Sequence, residues 1–283
     1  MRARVQIFLA FAALLVGGLI GLAVTGYERR AYPTLPPDST LTLAGQTVSV
    51  RDLAERYQPA LFLRAGTESP PLLWVWYEAV ANVEAGTVSL VYYHAWQGEI
   101  NPNPVVDVLY AGFRALYYGY PLYDIEYQQV DVALADGAIQ RVRFETGAAD
   151  DFYAVVSEHR VVTLTRLPSG RYRQEVGDRA GQILAAESEV DVEAADGRLR
   201  LGVQTWNHMS VLLSQSPDPA YPKAVPVAPL RALTDEDYAR YRFARKSQGD
   251  HQTVENPFAR PVAGLIGAAA LYAAAAWLLR RRP

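Results

Sequence analysis

The chain has no cysteine. That absence excludes a disulfide framework, a thiolate metal site and a cysteine nucleophile. It also lacks any concentration of one charge. The 27 Lys and Arg are scattered against 30 Asp and Glu, for a formal net charge of −3, and nothing marks a nucleic-acid partner. No extended low-complexity tract interrupts the sequence. Histidine is scarce, with four residues, His94, His159, His208 and His251, so imidazole chemistry has few places to occur.

What the sequence does have is an apolar run at each end, Ile7 to Thr25 and Val262 to Leu279, both free of charge. A bilayer core of about 30 Å needs roughly 20 apolar residues in a helix, with about 17 as the lower limit, so each run predicts a transmembrane helix. The alternative at the first run is a cleaved signal peptide, since Arg2 and Arg4 precede it and Val24-Thr25-Gly26 follows. The run exceeds a signal core of about 7 to 15 residues and no Ala-x-Ala-like site ends it, which favours an uncleaved anchor. Arg280, Arg281 and Arg282 close the second run, which carries Tyr272 and Trp277, while Arg260 alone stands just before it. That asymmetry puts the termini in the cytoplasm and the middle domain outside the cell membrane. The expected layout is an anchor over 1–26, a Pro-rich tether over 27–40, an ectodomain over 41–246, a second tether over 247–261 and a transmembrane helix with a basic tail over 262–283.

Between the tethers, apolar and polar residues alternate with turn punctuation, the mark of half-buried antiparallel strands. Strands are predicted at Leu41 to Val50, Ala60 to Arg64, Leu72 to Glu78, Thr87 to Gln97, Asp124 to Leu134, Ala138 to Glu145, His159 to Leu167, Glu189 to Ala194 and Arg198 to Trp206. Asp136-Gly137 and Asp196-Gly197 each predict a tight hairpin with positive φ at both turn residues. Short helices are predicted over Arg51 to Tyr57, Val105 to Tyr118 and Asp235 to Ala244. In the middle one, Asp107, Ala111, Arg114 and Tyr118 form a wet stripe, so its apolar remainder is expected to pack over the sheet. Many strands with few helices predict a mainly β fold, an antiparallel β-sandwich flanked by the two terminal helices.

Chemistry is sought where polar groups interrupt a core-facing pattern. Residues two apart share a strand face, so Asp124, Glu126 and Gln128 line up with Val130, Val132 and Leu134. Two carboxylates placed there are costly to desolvate unless arginines or a metal neutralise them. Arg141, Arg143 and Arg160 are the nearby arginines. An oxygen-rich set of Asp124, Glu126 and Gln128, with His159 beside it, suits magnesium, calcium or manganese rather than zinc. His94 shares the apolar face of its strand and reads either as a core histidine or as a catalytic base; His159 carries the same two readings. His208, in Trp206-Asn207-His208, sits at a strand end from which a side chain can reach a site, and His251 lies in a polar segment. The aromatics Trp74, Trp76, Tyr77, Tyr92, Tyr93, Trp96, Tyr117, Tyr118, Tyr120 and Tyr123 read either as core or as the lining of a sugar or lipid groove.

The order of these features resembles the necrosis-inducing protein superfamily over about residues 57–167. The stretch Leu90-Val91-Tyr92-Tyr93-His94-Ala95-Trp96 is similar to its aromatic strand, Gly119 to Tyr127 to its Asp-x-Glu element, and Ser157-Glu158-His159 to its later Ser-x-His motif. Tyr120, Leu122 and Tyr123 stand where that family carries basic or imidazole groups, and Ile125 replaces its tryptophan. The resemblance implies a β-sandwich and a divalent cation held near Asp124 and Glu126.

Two functions follow as expectations. One is a membrane-tethered extracytoplasmic domain with a binding or structural role in the cell envelope, its partners being the membrane and an envelope glycan, lipid or protein. The other is a metal-assisted hydrolase acting on envelope glycan or lipid, with His94 or His159 as the base.

Overall fold

The computed structural model describes residues 2–23, 29–30, 32–118, 122–147, 158–178, 181–192, 197–213, 218–241, 243, 253–254 and 259–280. In chain order its elements are α1 (Arg2–Ala23), β1 (Arg29–Arg30), β2 (Thr40–Leu43), β3 (Gln46–Ser49), α2 (Val50–Tyr57), β4 (Ala60–Leu63), β5 (Leu72–Asn82), β6 (Thr87–Trp96), α3 (Pro104–Tyr118), β7 (Asp124–Ala133) and β8 (Ile139–Gly147). There follow β9 (His159–Arg166), β10 (Tyr172–Gly177), β11 (Ile183–Val190), β12 (Arg200–Val203), β13 (Ser210–Leu212), β14 (Lys223–Ala224), β15 (Leu230–Ala232), α4 (Asp235–Arg240), β16 (Thr253–Val254) and α5 (Ala259–Arg280). The fold is mainly β, as expected.

Eight strands form one sheet in the order β11-β10-β9-β8-β7-β6-β5-β15, and four form another in the order β13-β12-β4-β14. The large sheet is antiparallel except where β15 joins β5 in parallel. One face supplies Val88, Leu90 and Tyr92 from β6, Val130 and Val132 from β7 and Phe144 from β8 to a core shared with Leu61 of β4 and Leu201 and Val203 of β12. The opposite face of the same strands is also covered. Trp76, Tyr93 and Tyr127 pack there with Tyr238 and Phe243, at and just beyond α4. This double burial explains why β6 is buried at every position from Val88 to Trp96, where alternation predicted a wet side. It also places most of the aromatic cluster in the two cores. Tyr120 and the side chains of Tyr117 and Tyr118 lie outside the described residues.

The hairpin expectations are corrected by the turns. Asp136-Gly137 does join β7 to β8, but only Gly137 has positive φ, at 75°. The chain turns through a longer loop, in which the Asp136 carboxylate accepts from the Ala138 N–H at 2.9 Å. Asp196-Gly197 joins no hairpin, because β11 belongs to the large sheet and β12 to the small one; Asp196 itself lies outside the described residues. A two-residue turn with positive φ at both positions is found instead at Ala44-Gly45, with φ of 49° and 78°, dividing the expected strand Leu41 to Val50 into β2 and β3.

Both terminal runs are helical, and α1 and α5 pack side by side. Gly17 makes this possible: a Cβ there would meet the Gly264 carbonyl oxygen at 2.4 Å. Among the described residues no helix is long and apolar enough to cross a membrane. The spans expected within 1–26 and 262–283 are therefore not met there.

Candidate functional site

The polar end of the large sheet is assembled by a helix that faces the opposite way from its sequence expectation. Asn103 caps α3, its carboxamide oxygen accepting from the Val105 and Val106 N–H groups at 3.0 and 3.3 Å. The helix then turns its charged side inward: Arg114 is buried, whereas Val105, Val108, Leu109 and Phe113 are exposed. The expected wet stripe is thus the packed side at Arg114. The cause lies in what waits beneath it. The Arg114 guanidinium pairs with Glu99 at 2.8 Å, donates to the Tyr123 carbonyl at 3.0 Å and stands 3.8 Å from Asp124. Burying Arg114 over carboxylates gains charge-assisted hydrogen bonds that an apolar stripe cannot make.

Asp124, Glu126 and Gln128 do share one face of β7 and are all buried. Opposite them on β6 stand Trp96, His94 and Tyr92 respectively. Each of the three has a different environment. Asp124 is committed to His208, whose Nδ1 lies 2.6 Å from its Oδ2. Gln128 donates from its carboxamide to Ser210 Oγ at 3.3 Å. Glu126 keeps one buried oxygen, Oε2, without a hydrogen bond. Burial, then the neighbouring carboxylates of Glu145, Asp124 and Glu99, push its pKa well above the ordinary carboxylate value. Of the arginines expected to neutralise this face, Arg141 pairs with Asp131 at 2.7 Å and Arg160 with Glu158 at 3.4 Å, while Arg114 stands 3.8 Å from Asp124.

The two histidines expected as bases are separated. His94 is buried in the core with neither ring nitrogen in a hydrogen bond, and burial holds its imidazole neutral, with a pKa lowered to about 3. His159 Nδ1 faces Glu145 Oε2 at 3.4 Å, at the start of β9. Ser157, of the Ser-x-His motif, and His251 lie outside the described residues. Among the described residues no group of three or more His, Asp or Glu side chains is placed to hold a metal ion. Of the four expected ligands, Asp124 turns to His208 and Gln128 to Ser210, while Glu126 and His159 both face Glu145.

Sequence reasoning missed Ser69, Arg114, Glu99 and Glu145. Ser69 lies in the loop before β5, and its Oγ is 2.7 Å from His208 Nε2. The His208 ring stacks on Trp96, with centroids 4.2 Å apart and planes at 8°. Its backbone has a positive φ of 60°, held by a turn in which the His208 N–H donates to the Thr205 carbonyl at 3.0 Å.

No family model and no curated protein matches the chain. Among solved structures it resembles the crystal structure of Necrosis and Ethylene inducing Protein 2 from the causal agent of cocoa's witches' broom disease, at 12% identity over 74% of this chain and 85% of that one, with a TM-score of 0.34. The resemblance is distant and structural.

Proposed function

We propose that the chain is a membrane-tethered β-sandwich domain on the extracytoplasmic side, with a binding role in the cell envelope at the end of the sheet that α3 covers. The observation that carries this reading is the outward apolar side of α3. Val108 and Leu109 are more than 70% exposed on a helix whose arginine is buried. In water such a surface is unfavourable, whereas at a membrane interface the same face sinks into the headgroup boundary. Support also comes from α1, which packs against α3 as well as α5 and exposes Phe8, Phe11 and Leu15. The absence of cysteine makes a clean test available. Val108→Cys carrying a polarity-sensitive fluorophore should shift its emission to the blue when the full chain is reconstituted in vesicles. Emission unchanged from that in water would remove the interfacial reading. Protease added outside intact cells should then digest the middle domain and spare tags at both termini; loss of either tag would overturn the topology.

A divalent cation is the second ligand proposed, on the strength of the orphaned Glu126 oxygen. Glu126 would be its anchor, a hard oxygen donor that suits calcium, magnesium or manganese, and neighbouring carboxylates would have to turn from their present partners to join it. Millimolar amounts of one of these ions should raise the melting temperature of the full chain in detergent, since a ligand bound only by the folded state stabilises it by mass action. Glu126→Gln should abolish the shift.

A further inference from the structure

Ser69, His208 and Asp124 come from three separate parts of the chain and stand in series: Ser69 Oγ lies 2.7 Å from His208 Nε2, with its hydroxyl also donating to the Pro70 carbonyl at 3.2 Å, and His208 Nδ1 lies 2.6 Å from Asp124 Oδ2. Burial follows the same order, from a half-buried Ser69 to a His208 side chain 1% exposed and a buried Asp124. The imidazole is held on several sides: Trp96 stacks on its plane, Asp124 holds Nδ1, and the turn from Thr205 sets the positive φ of His208. Arg114 stands 3.8 Å behind Asp124 and keeps that carboxylate in place. A buried structural histidine needs partners, but it does not need its outer nitrogen aimed at the hydroxyl of a half-buried loop serine.

We propose that this relay makes Ser69 a nucleophile that hydrolyses carboxylic esters. Ser69 Oγ bonds to the ester carbonyl carbon while its proton passes to His208 Nε2. As the tetrahedral adduct collapses, the bond to the alcohol oxygen breaks and that oxygen takes the proton from Nε2. A water molecule then attacks the acylated serine, gives its proton to Nε2, and releases the acid as the serine oxygen recovers that proton. Asp124 is a positioning residue, holding the ring in the tautomer that presents a bare Nε2. The sequence also limits the substrate. Pro70 follows Ser69 and has no N–H, so the backbone donor after the nucleophile is missing from any oxyanion site. Esters, with their better leaving groups, therefore fit where amides do not.

The activity uses no cation, and the test is arranged to keep it separate from the cation reading. The full chain in detergent with excess EDTA is treated with a fluorophosphonate, digested and mapped by mass spectrometry. An adduct on Ser69, absent in Ser69→Ala at unchanged melting temperature, is the expected result. In the same buffer, hydrolysis of p-nitrophenyl butyrate or of phosphatidylcholine vesicles should fall at least tenfold in Ser69→Ala, and the faster substrate identifies a soluble or a lipid ester as the source. Asp124→Asn should lower kcat more than KM if the relay is intact. A folded chain that takes no label at Ser69, labels Ser69 without turning over either ester, or keeps its turnover in Ser69→Ala overturns the proposal. Because Ser69 is half-buried in a loop, its alanine variant has little reason to misfold.

Discussion

Glu78 and Glu126 are buried carboxylates on opposite faces of the same sheet, and their surroundings are opposed. Glu78, on β5, accepts hydrogen bonds from the Tyr32 and Tyr93 hydroxyls at 2.7 and 2.8 Å and from Arg30 at 3.2 Å. Glu126, on β7, has three carboxylates around it and an oxygen with no hydrogen bond. The first is matched in charge and in hydrogen bonds, as a buried ion must be if it is to hold a fold together. The second is mismatched on both counts. A fold that satisfies one buried carboxylate so fully, while leaving another among like charges, has placed the mismatch where a ligand, a proton or a reaction can use it.

Breaking the matched side should have the largest effect. In Arg30→Met the Glu78 carboxylate loses the one cation paired with it among the described residues, and removing one partner of a buried pair costs about 3–5 kcal/mol. For a domain of this size the melting temperature should fall by about 10 °C. The double variant Arg30→Met with Glu78→Gln should recover most of the loss, since the two tyrosine hydroxyls can still donate to the amide oxygen. A single variant as stable as the parent would show that the tyrosines alone satisfy Glu78, and the contrast would lose its matched half.

How much of this was legible in the sequence follows the range of the contacts. The period of two in Asp124-Ile125-Glu126-Tyr127-Gln128 placed the polar residues on one face, and that is a property of the strand alone. The amphipathic pattern of α3 was equally plain, but which side faces the protein was not. That side is chosen by Glu99 and Asp124, which Arg114 reaches only once the sheet has formed. The two Ala-Asp-Gly turns look alike in sequence, yet one closes a hairpin and the other carries the chain between sheets, because pairing partners decide the outcome and turn residues only permit it. Ser69 gave no signal at all. Its contact with His208 spans 139 residues, and nothing local in Thr67-Glu68-Ser69-Pro70-Pro71 distinguishes a nucleophile from a loop serine.

A smaller effect is expected at His94, directly across from Glu126 in the β6–β7 register. Burial lowers its pKa to about 3, from an ordinary value of about 6.5. A depressed pKa contributes stability that is present above the unfolded value and is lost as pH falls toward the folded one. The parent should therefore lose about 2 kcal/mol between pH 7 and pH 4.5 from this residue. His94→Leu, similar in size and free of polar atoms, should leave stability at pH 7 nearly unchanged and remove that acid loss, as read from urea midpoints at the two pH values. An equal acid loss in the variant would mean that other groups on the matched side carry it.

Glu126→Gln should produce the smallest change and the most telling one, because its direction separates the two carboxylates. A folded pKa raised above the unfolded value of about 4.3 gives stability that is fully present below that value and is lost as pH rises through the folded one. The amide keeps the side chain's volume and cannot ionise, so it escapes that loss. At pH 4 parent and variant should unfold at the same urea concentration. At pH 8 the variant should be the more stable, by on the order of 1 kcal/mol, since burying an unmatched charge costs more than burying its neutral isostere. The same substitution at Glu78 should destabilise at pH 8, because there the charge is the group its donors are arranged to meet. If Glu126→Gln also destabilises at pH 8, Glu126 is a second matched site and the contrast between the two faces fails. If the gain at pH 8 disappears when millimolar calcium is added, a cation has met the unmatched charge of Glu126.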